Sequence, residues 1–199
     1  FLVKSAVYGF YRLSNLLGGE LDTTFFSIFA ILGILDASLK MWGQTDVKKL
    51  VAYGTVQEMN LIYLIFNLGD INAIVIGILF SATHALASRL MFFLVDCFYR
   101  RFHTRSVVEI NGLLHFTPNL AIFIVFMLIF YAGLPGTLKF TCEFFIFSGF
   151  ILISPVLCIL LILIANVVGL IGFSKVWFNL IFGLNRNITN SSIIDLTVK

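Results

Sequence analysis

Residues 134–147 read LPGTLKFTCEFFIF. The stretch lies inside a long apolar tract, yet Lys139 and Glu143 stand four residues apart in it, one turn beyond a Pro-Gly pair. Proline removes a backbone donor and clashes with the preceding turn. Backbone groups freed at membrane depth must face protein or water, because lipid offers no partner. Leu134, Pro135 and Gly136 therefore read as a hinge that divides a helix near its middle. Interrupted helices of this kind often mark an ion or substrate site.

The sequence around the hinge supports a membrane setting. Of 199 residues, 60% are hydrophobic and 12% charged, with a mean hydropathy of +1.04. Soluble domains run about 45–50% apolar and about 25% charged. The composition predicts an all-α, polytopic membrane helix bundle with one discontinuous helix. Net charge is only +3 and the basic residues are dispersed, so nothing points to nucleic acid. Cys97, Cys142 and Cys158 lie in or near apolar segments without C-x-x-C spacing, which argues against a disulfide framework, a zinc site or an iron–sulfur site. The opening FLVKSAVYGF has no Met, basic n-region or cleavage site and reads as the middle of a helix, not a signal peptide. The expectation is a fragment or one piece of a split protein.

A helix crossing the hydrocarbon needs about 20 apolar residues. Six segments are expected to cross: 1–17, 25–42, 50–68, 71–98, 118–150 with its break, and 154–182. They make residues 1–182 a membrane domain and 183–199 a polar tail. Glu20, Asp22 and Asp70 fall in the first and third links, and Lys48, Lys49, Arg100, Arg101 and Arg105 in the second and fourth. With one crossing per segment, the basic links and the tail share one side. That is the positive-inside pattern.

Several ionisable residues then fall at membrane depth. Glu58 and His84 lie near the middle of their segments, Glu143 follows the break, and Lys4 is deep because it stands ~20 Å of helix from the link at Gly18; Asp36, Lys40, Arg89 and Lys139 lie less centrally. A charge at the bilayer centre costs about 2.5–3.5 kcal/mol on insertion scales, so these groups should face one another, a partner chain or internal water. Each has a bland reading as well. Lys4 could snorkel to an interface, and Glu58 and His84 could be packing groups. Asp36 with Lys40 and Lys139 with Glu143 have the spacing of self-neutralising pairs. Arg89 could pair with a carboxylate on another helix. Together, on successive helices, they suggest a hydrated ionisable path. Burial disfavours the charged form of an acid or base, and an opposite charge restores it. Separating such a pair therefore moves a proton, with no redox cofactor required.

Four stretches resemble the antiporter-like subunit 4 family of respiratory complex I. They are FLVKSAVYGFYRL (1–13), GQTDVKKLVAYGTVQEMNLIY (43–63), THALASRLMFFLVDCFYRRFHTRSV (83–107) and GLPGTLKFTCEFFIF (133–147). The resemblance implies a fragment covering roughly the family's eighth to thirteenth helices. It implies proton translocation through a buried Lys/Glu/His relay, coupled to quinone reduction elsewhere, in a proton-translocating NADH:ubiquinone oxidoreductase. Lys4 stands at the family's intramembrane Lys, Lys48 at the Lys after Q-T-D, and His84 at the central His of the A-H-G helix. Glu143 stands at the acidic residue of the discontinuous helix, the terminal group of that subunit's half-channel.

Glu58 departs from the family, which has a His there. Lys139, Asp36, Lys40 and Arg89 replace neutral, apolar or small residues, and Lys139 is placed to hold Glu143 ionised. The resemblance also implies no cofactor on this chain, with NADH, flavin, iron–sulfur clusters and ubiquinone on other subunits. The implied partners are other membrane-arm subunits, including one supplying the N-terminal half of the subunit and neighbouring antiporter-like subunits, together with membrane lipids. The implied location is the mitochondrial inner membrane with the basic links on the matrix side, or alternatively a bacterial plasma membrane. A multisubunit cation/proton antiporter and a non-pumping structural fragment are the other readings.

Overall fold

The computed structural model describes residues 2–16, 23–68, 71–183 and 195. Glu20, Asp22, Asp70 and nearly all of the polar tail lie outside the described residues. The elements are α1 (Leu2–Leu16), α2 (Thr23–Trp42), α3 (Val47–Phe66), α4 (Ile71–Phe102), α5 (Leu113–Phe116), α6 (Pro118–Tyr131), α7 (Leu138–Ile153), α8 (Pro155–Ile162) and α9 (Leu170–Phe182). Leu163–Gly169, between α8 and α9, is a π-helix. Among the described residues there is no strand; one antiparallel bridge joins Asp46 to Ser106.

Phe25–Trp42, Asn72–Phe102 and Pro155–Phe182 are each long and apolar enough to cross a bilayer. α6 and α7 are each shorter, because the chain turns between them. Ala132 ends α6, Gly133 and Gly136 take φ of +66° and +100°, and Thr137 caps α7 by accepting from the Phe140 N–H at 3.3 Å. The discontinuous helix expected at Leu134–Gly136 is present, and positive-φ glycines flank the predicted proline. Glycine supplies left-handed backbone at no steric cost, and a Thr N-cap restarts the helix.

α4 runs four residues beyond the expected apolar end at Phe98. Asp96 pairs with Arg100 at 2.8 Å, and Arg101 Nη1 donates to the Cys97 carbonyl at 2.8 Å. Basic groups in a last turn suit the helix dipole. On the same side, Asp46 caps α3 by accepting from the Lys48 and Lys49 N–H groups at 2.8 and 3.3 Å. The bridge beside it is made by Val47 N–H to the Arg105 carbonyl, 3.1 Å, and Val107 N–H to the Thr45 carbonyl, 2.9 Å.

The core falls into two apolar clusters. One includes Leu50, Val51, Met91, Leu128, Tyr131, Phe173 and Trp177. The other includes Ile34, Ile62, Phe80, Cys142, Ile146, Leu161 and Ala165. Each long element passes from one cluster to the other, and the passage is polar. On α3 it holds Glu58, on α4 His84, and between α6 and α7 it holds the break and Lys139. From α8 to α9 it holds the π-helix. The two irregular stretches of backbone and the buried charges therefore share one seam. Outside it, large apolar side chains such as Phe29, Leu86, Phe93, Phe126 and Phe144 are exposed, as a lipid-facing surface requires.

Candidate functional site

Four ionisable side chains meet in the seam. α3 brings Glu58, α4 brings His84, and α7 brings Lys139 and Glu143; all are buried. Glu58 is the centre. One carboxylate oxygen, Oε2, contacts Nδ1 of His84, and the other, Oε1, accepts from Lys139 Nζ at 2.7 Å. Lys139 Nζ also donates to the Tyr131 carbonyl at 2.5 Å and lies 3.6 Å from Glu143 Oε1. The ammonium sits 4.2 Å from the centroid of the Tyr131 ring. Breaking the helix after Tyr131 is what frees that carbonyl for Lys139. Gly133 leaves room for Glu143, since a Cβ there would lie 3.0 Å from Oε2.

Two cavities flank this ladder. A small one of about 30 Å³ touches Glu58, Lys139 and Glu143, and Asn166 of the π-helix completes its polar lining with Gln57. That is room for a water molecule or two. A larger one of about 540 Å³ lies on the His84 side and is lined by Lys4, Thr55, Asn60, Tyr63 and Ser88. Lys4 is therefore joined to His84 by open volume rather than by direct contact.

The remaining expected residues lie apart from the ladder. Lys48 is exposed at the start of α3 and borders a separate cavity with Asp96, Tyr99 and Arg105. Asp36 and Lys40 pair at 2.7 Å with side chains 61% and 50% exposed, the expected self-neutralising pair. Arg89 is exposed and makes no ion pair among the described residues. Leu134, Pro135 and Gly136 sit exposed at the break. Lys139 keeps the expected pairing with Glu143 at 3.6 Å, but its shorter contact, at 2.7 Å, is to Glu58. Two carboxylates lie within its reach, and α3 supplies the nearer one.

Sequence reasoning missed Tyr131, Gln57 and the π-helix. Gln57 Nε2 donates to the Ala165 carbonyl at 2.8 Å, and Trp42 Nε1 to the Val168 carbonyl at 2.7 Å. A π-turn leaves carbonyls without their usual partners, and such turns concentrate at functional sites. Gln57 and Asn60, flanking Glu58 on one helix, were the available signal. No group of three or more His, Cys, Asp or Glu that could hold a metal ion occurs among the described residues.

The chain is 50% identical over all 199 residues to NADH-ubiquinone oxidoreductase chain 4 of Paramecium tetraurelia, of which it spans 42%. Its fold resembles a chain of respiratory complex I from Thermus thermophilus with a TM-score of 0.81, 24% identity and coverage of 96% of this chain and 40% of that one. It resembles a chain of the Mrp complex from Dietzia sp. equally well, with a TM-score of 0.83, 16% identity and coverage of 94% and 35%. Residues 1–169 match the family described as NADH:quinone oxidoreductase/Mrp antiporter, transmembrane. With that match covering most of its length, the chain belongs to the NADH:quinone oxidoreductase/Mrp antiporter transmembrane family.

Proposed function

We propose that the chain forms part of a proton-translocating, antiporter-like subunit of respiratory complex I, with Lys4, His84, Glu58 and Glu143 as its relay. The observation that carries this reading is the His84–Glu58–Lys139–Glu143 ladder, buried in one seam and flanked by cavities on both sides. Protons would enter or leave through the cavity shared by Lys4 and His84 and through the small cavity at Glu143. Leu134, Pro135 and Gly136 would give Glu143 mobility. Lys48, Asp36, Lys40 and Arg89 are supporting charges away from the path. Residues 1–182 would lie in the membrane and 183–199 outside it.

The redox carriers would sit on other subunits. Partners would be the other membrane-arm subunits, including whatever supplies the rest of the relative's length. The 50% identical relative favours the mitochondrial inner membrane, with the basic links on the matrix side. Glu143→Gln in the assembled complex tests the reading. NADH-driven proton pumping should fall by at least about tenfold, a loss worth ~1.4 kcal/mol in barrier, with assembly intact. Unchanged pumping would favour a structural fragment.

A second reading, a cation/proton antiporter subunit, is supported by the equally good fold match to the Mrp complex. Co-purification with NADH- and quinone-binding subunits would decide against it, and sodium-driven proton exchange without them would decide for it.

A further inference from the structure

We propose that Lys139 is a permanent cation that swings between Glu58 and Glu143, so that a proton arriving at His84 expels one from Glu143. This rests on the relay reading above and adds to it a residue that moves charge without giving up a proton. The surroundings of Nζ fit an ammonium. It faces three oxygens: Glu58 Oε1 at 2.7 Å, the Tyr131 carbonyl at 2.5 Å and Glu143 Oε1 at 3.6 Å. An ammonium has three donors and no acceptor, and a neutral amine would turn a lone pair towards one of them. The Tyr131 ring face adds attraction for a cation. Two of the three contacts are made and the third is open, so a tilt about the Tyr131 carbonyl exchanges one carboxylate for the other.

Charge balance sets the direction. The groups facing Lys139 and Glu58 are His84 on α4, Glu143 on α7 and Tyr131 on α6, with Lys4 of α1 across the larger cavity. An ionised Glu58 can only accept, so His84 donates through Nδ1 and its Nε2 lone pair is open to a proton. With His84 neutral, Lys139 balances Glu58, and a neutral Glu143 leaves the cluster uncharged. When His84 takes a proton at Nε2, the imidazolium balances Glu58 and Lys139 is freed. Its charge is then matched only if Glu143 ionises, releasing its proton to water in the small cavity. One proton enters and one leaves, and the buried net charge is zero before and after. An unbalanced charge there would carry a heavy desolvation cost.

The test uses membrane vesicles bearing the assembled complex. Lys139→Arg keeps a cation that cannot be deprotonated, and Lys139→Gln removes the charge. Protons pumped per electron should survive in the Arg variant and fall by at least about tenfold in the Gln variant. Equal loss in both, or loss in neither, overturns the proposal. If Glu143→Gln also leaves pumping unchanged, the relay reading itself has failed; if Glu143→Gln stops pumping and Lys139→Gln does not, only the swinging cation has. Should Arg prevent assembly, infrared difference spectra of the native complex decide. Imidazolium signal should grow as the carboxylic C=O band of Glu143, assigned by its absence in Glu143→Gln, shrinks. A band that grows with it or ignores it overturns the proposal.

Discussion

Glu58 and Lys139 stand 81 residues apart in the chain and meet at 2.7 Å in the seam between the two apolar clusters. The contact ties α3 to the second half of the broken helix. It also places Glu58 between two basic groups, His84 and Lys139, while Glu143 has only the longer contact to Lys139.

A double-mutant cycle should detect this pair. Glu58→Gln and Lys139→Gln each leave the other charge to a second-best partner, Glu143 or His84 respectively. The coupling energy between them should be about 0.5–3 kcal/mol, the range for residues in contact. Thermal unfolding of the assembled subunit measures it. Strictly additive effects would show that the contact contributes nothing to stability.

Gly133→Ala should damage both stability and pumping. Its φ of +66° is left-handed, and the added methyl would press on Glu143 Oε2 at 3.0 Å. The backbone alone costs about 1–2 kcal/mol. A lower unfolding temperature together with a lower proton-to-electron ratio is the expected pair of results.

Gly169→Ala should destabilise the π-helix. A methyl there would sit 2.5 Å from Gln57 Nε2 and push that amide off the Ala165 carbonyl. An unmet buried acceptor costs about 1–3 kcal/mol. Hydrogen exchange over residues 163–169 should quicken. On a Gln57→Ala background the same change should cost less, because the collision is gone.

Asp46→Ala removes the cap of α3 at the basic end, far from the ladder. Its carboxylate satisfies two N–H groups at 2.8 and 3.3 Å. The loss should be about 1 kcal/mol, read as a lower unfolding temperature with pumping unaltered. The bridge to Ser106 should survive, since it is made by backbone.

The break at Leu134–Gly136 was legible because proline and glycine act locally: they forbid or permit particular backbone angles whatever surrounds them. Asp36 and Lys40 were legible for the same reason, four residues apart on one helix. The partner of Lys139 was not. Local spacing pointed to Glu143, and only the packing of α3 against α7 reveals that Glu58 lies closer. The π-helix was invisible because LIANVVG contains no proline and its one glycine, Gly169, falls at its last position. Its irregular carbonyls are held by Gln57 and Trp42 from two other helices, and nothing in the local pattern announces that. The larger cavity between Lys4 and His84 is likewise a product of three helices, so depth counting could place both residues inside the membrane without showing what fills the space between them.

High-resolution density of the intact complex, with ordered waters visible, tests the seam most directly. Waters should bridge Lys4 to His84 through the larger cavity, and at least one should sit among Glu58, Lys139 and Glu143. Lipid acyl chains filling the larger cavity, or a dry gap separating His84 from Lys4, would contradict the account.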